Sequence, residues 1–267
     1  MALIELQASS GLPIELEDSR LFFGKDLKNV EPSVRTIEDM KPFLLDATNG
    51  FSRHVVYYMY RNVGFKKDVD VFNKNHIIYD ITVVENGTIG KEFVKTVGHY
   101  HPIKAGTNVR YPEVYEVLYG NALVVMQQIQ NDERVENVFV VAATAGEKVV
   151  LPPGCGHVTV NIGKSKLVLA NLVSSEFVLI YDPFKAKRGA SYYVLQQNGR
   201  PMLSPNKLYE TIPNPEMLRP KEEILGISKR TPLYTTAQRN LEKFRWLNYP
   251  EYSREELEIQ KLFDAGA

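Results

Sequence analysis

Two histidines one residue apart, His99 and His101, are the residues of this chain best suited to grip a metal ion. Side chains of a β-strand alternate between faces and each residue rises ~3.3 Å, so residues i and i+2 share a face ~7 Å apart. Both imidazoles can therefore approach one ion. Glu113, after a loop, and His157, on a later strand, would complete a set of three imidazoles and one carboxylate.

The segment around His157 has a fixed spacing, G-x5-P-x-G-x2-H-x3-N, formed by Gly146, Pro152, Gly154, His157 and Asn161. Gly146 permits a tight turn between strands. The Pro152–Gly154 turn stiffens the chain, so that His157 enters the next strand facing the interior. This segment resembles the second motif of the cupin superfamily at every defined position.

The upstream segment resembles the first cupin motif, with His99-x-His101, then Glu113 and, after six residues, Gly120. Two departures stand out. Eleven residues separate His101 from Glu113, where the general motif has three or four, and Phe93 replaces its early glycine.

Both departures are typical of one subfamily, the cupin-type glucose-6-phosphate isomerases first known from archaea. Their pattern T-x-G-H-x-H, a longer loop and E-x-Y resembles Thr96–His101 and Glu113–Tyr115. The resemblance covers residues 50–195 approximately. It implies a double-stranded β-helix (jelly-roll) barrel that interconverts glucose 6-phosphate and fructose 6-phosphate, with one divalent metal ion held by His99, His101, Glu113 and His157.

Imidazole and carboxylate ligands suit Fe(II), which we favour, and also Mn(II), Ni(II) or Zn(II). Four protein ligands on an octahedral ion leave two positions that could chelate the oxygens on C1 and C2 of an open-chain sugar. The sequence does not distinguish proton transfer from a hydride shift. If a proton moves, Glu113 is the base by resemblance, whereas Glu116 points to the opposite face by its odd offset.

The same resemblance implies phosphate contacts from Thr96 and Gly98, and from Thr82 fourteen residues earlier. It also assigns Tyr115 to the site, as catalytic and substrate-binding. Tyr60, or Tyr58 on the same face, matches a tyrosine on an earlier strand. A further tyrosine falls between Tyr181 and Tyr193, with Tyr181 and Tyr192 as candidates.

The composition excludes some classes of function. The formal net charge is zero, with 32 basic and 32 acidic residues, which argues against a nucleic-acid-binding protein. The single cysteine, Cys155, allows no internal disulfide and favours a cytoplasmic location. No apolar run approaches the ~20 residues of a membrane helix, and no signal-peptide pattern precedes Pro13. The exposed edges of a cupin barrel favour a homodimer.

The spacing of hydrophobic and turn residues predicts an all-β fold with helical arms. We divide the chain into an irregular N-terminal arm (1–50), a barrel with the metal site (51–199) and a C-terminal arm (200–267). Strands are predicted at 55–60, 76–84, 93–97, 113–118, 123–129, 135–142, 148–151, 157–162 and 167–170. Thr36 would cap a helix with Asp39, and Asn49-Gly50 would form a turn.

In the C-terminal arm, five prolines should break up regular structure: Pro201, Pro205, Pro213, Pro215 and Pro220. Short helices are predicted at 241–244 and 255–263, and Glu251–Gln260 should form one face of an amphipathic helix. The arm should nevertheless pack on the barrel, because it contains many large apolar residues.

Several alternatives remain open. The chain could be a mannose-6-phosphate isomerase, an Fe(II) dioxygenase or a non-catalytic sugar-binding cupin. Cys155 lies beside the metal motif but is interpreted as a non-ligand. Lys95, Lys104 and Arg110 could steer a phosphate, although solvated loop charge is the default interpretation.

Overall fold

Strands dominate the computed structural model, which describes residues 3–46, 54–131 and 133–266. The helices are short, and both terminal segments contain some of them. The all-β fold class with helical arms is therefore confirmed. Within the described residues no helix has the length and apolar character needed to cross a membrane. The turn predicted at Asn49-Gly50 lies outside the described residues.

The N-terminal segment has four strands, β1 (Ile4–Glu5), β2 (Ile14–Glu17), β3 (Arg20–Phe23) and β4 (Ser33–Thr36), with helices α1 (Gln7–Ser10) and α2 (Ile37–Met40) and a 3-10 turn at Lys41–Phe43. Strands β1, β2 and β3 form an antiparallel sheet. The arm is thus more regular than the sequence predicts, and Ile14 and Leu16 alternate inward along β2.

The predicted N-cap of α2 is confirmed. The Thr36 hydroxyl accepts the Asp39 N–H at 3.4 Å, and the Asp39 carboxylate accepts the Thr36 N–H at 2.8 Å. This reciprocal capping box satisfies two backbone donors that the helix itself leaves unpaired.

The rest of the described chain contains these strands: β5 (Val55–Tyr60), β6 (Ile77–Val84), β7 (Thr88–Ile89), β8 (Glu92–Phe93), β9 (Glu113–Tyr119), β10 (Asn121–Ile129), β11 (Val135–Thr144), β12 (Lys148–Leu151), β13 (Gly156–Asn161), β14 (Leu167–Ser174), β15 (Tyr192–Gln197), β16 (Arg200–Pro205), β17 (Glu216–Pro220), β18 (Glu223–Ile224), β19 (Ile227–Ser228) and β20 (Phe263–Ala265). Its helices are α3 (Lys66–Lys74), α4 (Asp182–Ala186), α5 (Leu233–Arg239) and α6 (Ile259–Leu262), with 3-10 helices at Leu241–Leu247 and Pro250–Tyr252.

Two large sheets organise the molecule. One has the order β12-β9-β14-β6-β5-β4, and the other has the order β13-β10-β11-β17-β20. In the first, β9 lies between β12 and β14, with Glu113 opposite Val173 and Tyr115 opposite Asn171. Smaller sheets pair β16-β15-β8-β7 and β18-β19.

The histidine pair does not lie on a regular strand, so the strand predicted at 93–97 is wrong beyond Phe93. After β8, isolated bridges join Lys95 to Val160 and His99 to His157. Between these two bridges the register along β13 moves by one residue. The extra residue is a β-bulge, which interrupts the regular hydrogen-bond ladder.

The C-terminal segment packs on the core as predicted, with Leu233, Tyr234, Phe244 and Leu247 fully buried. Its prolines, however, do not prevent regular structure. Pro201 lies in β16, an edge strand where a missing N–H is tolerated. Pro220 ends β17, which pairs in parallel with β11.

The prediction of an amphipathic helix over Glu251–Gln260 is wrong. A 3-10 turn and further turns occupy most of that range, and α6 begins only at Ile259. The charges of the run are used elsewhere, since Glu251 forms an ion pair with Lys104 at 2.7 Å. Tertiary pairing has here overridden the helical pattern.

Candidate metal centre

The four predicted ligands come together in the interior. His99, His101, Glu113 and His157 each offer a ligand atom, and these atoms lie within 4.8 Å of one another. Glu113 Oε2 is 3.4 Å from His101 Nε2 and 3.6 Å from His157 Nε2. The bridge between His99 and His157 joins the two motifs directly.

The surroundings of the cluster orient its ring nitrogens. Nδ1 of His101 is 2.9 Å from the Tyr111 carbonyl, and Nδ1 of His99 is 3.2 Å from the Val97 carbonyl. A proton on each Nδ1 satisfies these carbonyls and leaves the Nε2 lone pair for a ligand. Glu113 Oε1 accepts a hydrogen bond from the Asn171 side-chain amide at 2.7 Å, which leaves Oε2 facing the imidazoles.

One polar atom of the cluster indicates that the residues fit a metal ion. His101 Nε2 is buried and has no hydrogen-bond partner. An unsatisfied buried nitrogen costs about 1–3 kcal/mol, so native proteins seldom retain one without a purpose. Three imidazole nitrogens and a carboxylate oxygen are a donor set that a divalent transition-metal ion would satisfy.

Burial also holds His99 and His157 in the protonation state that metal binding needs. Desolvation and the nearby His101 lower the pKa of His99 to about 3. Desolvation, His99 and His101 lower the pKa of His157 well below its usual value. The imidazoles of His99 and His157 are therefore neutral near pH 7, and the neutral imidazole is the form that ligates metals.

The long loop before Glu113 is braced at several points, which compensates for its length. Ile103 and Arg110 form a bridge across it, and Arg110 Nη1 donates to the His101 carbonyl at 2.6 Å. Lys104 pairs with Glu251. The interpretation of solvated loop charge is wrong for Lys104 and for Lys95, since Lys95 is buried and paired with Glu92.

A cavity of about 260 Å³ opens beside the cluster. Its wall includes His99, His101 and Glu113, together with Thr82, Thr96 and Tyr115 of the predicted substrate site. A larger groove of about 850 Å³ lies between β11 and the C-terminal segment. None of the four residues of the only ligand cluster found in the described part of the chain lines that groove.

Thr96 and His99 both face the cavity although three positions separate them. In a regular strand an odd offset would place them on opposite faces. The one-residue register shift between them restores a common face. Gly98, at this shift, is not part of the cavity wall, and a Cβ at this position would collide with the ring of Phe184.

Strand β5 turns a different face to the cavity from the one predicted. The Tyr60 hydroxyl accepts the Leu21 N–H at 2.9 Å, and Tyr58 lies under Arg20, so both point away from the cluster. Tyr57 and Met59 line the cavity instead. The prediction that Tyr60 lies at the site is thus wrong, and Tyr57 is the tyrosine of this strand that sequence reasoning missed. Alternation along the strand separates Tyr57 and Met59 from Tyr58 and Tyr60, but it does not say which pair faces the cavity.

The candidate tyrosines of the later segment separate in the same way. Tyr181 lines the cavity, and its ring centroid is 5.7 Å from that of His99. Tyr192 donates to the Pro213 carbonyl and Tyr193 to the Arg188 carbonyl, outside the cavity. Of the three, only Tyr181 lies at the site.

Two further predictions agree with the structure. Glu116 lies on the opposite face of β9 from Glu113, where it pairs with Lys148 at 2.8 Å. Cys155 is buried outside the ligand cluster.

Sequence reasoning missed Arg61, Asp80, Asn171 and Phe177, which also line the cavity.

Comparison with known proteins shows which family this chain matches. The model of the family described as glucose-6-phosphate isomerase (GPI) matches residues 34–209. A glucose-6-phosphate isomerase of Thermococcus litoralis is 26% identical over 185 residues, covering 67% of this chain and 88% of its own. That of Thermococcus onnurineus is 28% identical over 200 residues, covering 73% and 94%.

The similarity to solved structures extends over about half of this chain. A structure of oxalate oxidase covers 47% of this chain and 54% of its own at 17% identity, with a TM-score of 0.35. At that level it carries no argument about the site.

Proposed function

The chain belongs to the glucose-6-phosphate isomerase family, and we propose that it is a metal-dependent isomerase interconverting glucose 6-phosphate and fructose 6-phosphate. One observation carries the proposal. Imidazole nitrogens of three histidines and a carboxylate oxygen of Glu113 converge beside a cavity whose wall also includes Thr82 and Thr96. One end of the cavity thus suits a metal ion and the other suits a phosphate.

His99, His101, Glu113 and His157 would hold the metal ion. A divalent ion bound there would act as a Lewis acid on the oxygens of two neighbouring sugar carbons. Fe(II) is our first choice, and Mn(II), Ni(II) and Zn(II) suit the same ligands.

Glu113 is the proposed base. Its carboxylate takes the proton from C2 of the open-chain aldose and returns it to C1, while a second proton moves from O2 to O1. The Asn171 amide fixes the carboxylate by its bond to Oε1. General-base catalysis of this kind contributes roughly 10²–10⁴-fold to a rate.

Tyr115 is the proposed hydrogen-bond donor to the reacting sugar oxygens. Burial and the Glu113 carboxylate raise the pKa of Tyr115 well above its usual value. The hydroxyl therefore keeps its proton near pH 7. It lies 3.1 Å from His157 Nε2, beside the ligand cluster.

The proposed phosphate contacts are Thr82 and Thr96, with Tyr57 added. Thr96 Oγ1 accepts the Thr159 N–H at 3.1 Å, so its own proton remains available to a phosphate oxygen. Tyr57 lies beside them, and its hydroxyl accepts the Val97 N–H at 3.4 Å. Neutral donors of this kind bind an anion without a basic patch.

We also propose a cytoplasmic homodimer, in which 51–199 carries the site and the segments 1–50 and 200–267 are arms. The single cysteine supports the location. Unpaired edges such as β12 and β4 support pairing of two copies.

The proposal is tested with purified protein that has been stripped by a chelator and reloaded with Fe(II), Mn(II), Ni(II) or Zn(II). Formation of glucose 6-phosphate from fructose 6-phosphate is expected with at least one metal and not with the stripped protein. Absence of turnover with every metal would refute the proposal. Mannose 6-phosphate and O2 consumption with Fe(II) serve as parallel assays, and turnover in either assay alone would favour another cupin enzyme.

A further inference from the structure

Arg61 is a cation in the wall of the cavity that the proposed mechanism does not use. We infer that its guanidinium binds the C1–C2 end of the substrate and stabilises the negative charge that develops there during proton transfer. This inference rests on the proposed isomerase function and adds to it a residue that determines both affinity and rate.

The strand register places Arg61 at the metal end of the cavity. Arg61 follows β5 directly and pairs with Asp80 of β6. Asp80 is opposite Asn171 on β14, and Asn171 is opposite Tyr115 on β9. These residues form one row across the sheet, and the row ends at the Tyr115 hydroxyl beside the histidines.

Thr82, which is proposed to contact the phosphate, lies in a different row of the sheet. Thr82 is opposite Leu169 and Met59, two residues along β6 from Asp80. Two residues of an antiparallel strand span ~7 Å. A sugar whose phosphate contacts Thr82 therefore presents its other end, and not its phosphate, to Arg61.

Asp80 holds the guanidinium in place. Arg61 Nη1 donates to Asp80 Oδ2 at 2.6 Å, while Asp80 Oδ1 accepts the Asn62 N–H at 2.7 Å. The Asp80 side chain is 1% exposed, but half of the Arg61 side chain is accessible. The accessible part of the side chain leaves guanidinium N–H groups for a ligand.

Among the described residues of the cavity wall, Arg61 is the one lysine or arginine. Its charge interacts with Glu113, the proposed base, and with Tyr115, the proposed hydrogen-bond donor. A preorganised cation directed at developing charge is among the strongest contributions to catalysis in a site shielded from water.

The charge arises when Glu113 takes the proton from C2. The electron pair of the C2–H bond forms a C1–C2 double bond, and the electrons of the C1 carbonyl move to O1, which gains the negative charge. Return of the proton to C1, with transfer of the hydroxyl proton from O2 to O1, gives the ketose and removes the charge. Arg61 thus binds this enediolate more strongly than either sugar.

Two stable compounds test the inference in the metal-loaded enzyme. Arabinonate 5-phosphate has a carboxylate that resembles the planar, charged enediolate, and arabinitol 5-phosphate has an uncharged alcohol there. Both keep the phosphate. Affinity is measured by calorimetry for the wild type, Arg61→Lys and Arg61→Gln. Because Arg61→Gln leaves Asp80 buried without its cation, Arg61→Gln combined with Asp80→Asn is measured as well.

Loss of a charge-assisted hydrogen bond should weaken arabinonate 5-phosphate binding roughly 10- to 100-fold. Arabinitol 5-phosphate should lose much less, and Arg61→Lys should restore affinity only in part, because a lysine lacks the planar fork. Metal content should not change. Arg20→Gln, on the opposite face of β5 over Tyr58, is the matched control and should bind both compounds normally.

Equal losses of affinity for the two compounds in the Arg61→Gln variants would overturn the inference. They would mean that Arg61 contacts the phosphate or has a structural role. No loss for either would also overturn it. If the wild type binds neither compound and shows no isomerisation, the proposed function fails and this inference fails with it. If the wild type isomerises the sugar and the Arg61→Gln/Asp80→Asn variant binds both compounds as the wild type does, the inference is refuted and the proposed function stands.

Discussion

At the scale of single residues, the candidate ligand cluster was predictable from the sequence, and the residues that line the cavity were only partly predictable. The ligands are encoded by residue type and local spacing, and His99, His101, Glu113 and His157 indeed converge. The facing of β5 depends on its pairing with β4 and β6, which local spacing does not encode. For this reason Tyr60 was selected in place of Tyr57. Arg61 was missed because its partner, Asp80, is nineteen residues away.

Thr96→Val should raise KM for the phosphorylated sugar about tenfold and leave bound metal unchanged. A lost hydrogen bond to a charged group is worth about 1.5–3 kcal/mol. Stability should also fall by about 1–3 kcal/mol, because the Thr159 N–H loses its acceptor. Thr96→Ser keeps the hydroxyl and is the matched control. Steady-state kinetics and metal analysis provide the measurement, and loss of metal would contradict the phosphate assignment.

Tyr57→Phe and Tyr60→Phe provide a paired test of which face of β5 meets the substrate. Tyr57→Phe should weaken substrate binding several-fold, since its hydroxyl lies at the cavity. Tyr60→Phe removes the acceptor of the Leu21 N–H and should lower stability by about 1 kcal/mol without changing KM. Kinetics and urea unfolding of both variants distinguish these effects. A KM effect confined to Tyr60→Phe would refute the assignment of faces.

At the scale of elements, β9 connects the candidate metal centre to the C-terminal segment. Glu113 and Tyr115 face the cavity, while Glu116 on the other face pairs with Lys148 and accepts the Leu233 N–H at 2.7 Å. Lys148 also donates to the carbonyls of Gly146, Lys229 and Thr231. The alternation of β9 was readable in advance. The contacts with Lys229, Thr231 and Leu233, each more than eighty positions from its partner, were not.

Lys148→Met should destabilise the protein by about 3–5 kcal/mol, because it leaves the Glu116 carboxylate buried without its cation. Glu116→Gln keeps an acceptor for the Leu233 N–H and should cost less. The double variant should be more stable than Lys148→Met alone. Guanidinium unfolding of the three proteins measures this coupling, and simple additivity of the two single changes would contradict it.

At the scale of the whole molecule, the C-terminal segment completes the core. Strand β17 covers the edge of β11, and β20 extends the same sheet. Most of this segment lies outside the family match, which ends at residue 209. Its burial was predictable from its apolar residues. Its strands were not, because pairing with β11 depends on contacts far apart in the sequence.

Removal of residues 210–267 should leave β11 with an open edge and expose the surface that Leu233, Tyr234 and Phe244 now cover. Open, apolar strand edges promote association. The truncated chain should therefore aggregate, as measured by size-exclusion chromatography with light scattering. Full-length protein is the control, and a truncated chain that is soluble and as stable as the full chain would contradict this role.

The central claim is that one metal ion, held by four side chains, is required for the isomerisation. The most direct test titrates the stripped enzyme with Mn(II), or with whichever metal is most active in the reloading assay, while glucose 6-phosphate formation is followed. Activity should rise linearly and level off at one equivalent per chain, and His157→Gln should show no such rise. Turnover without metal, or the same titration curve in His157→Gln, would contradict the account.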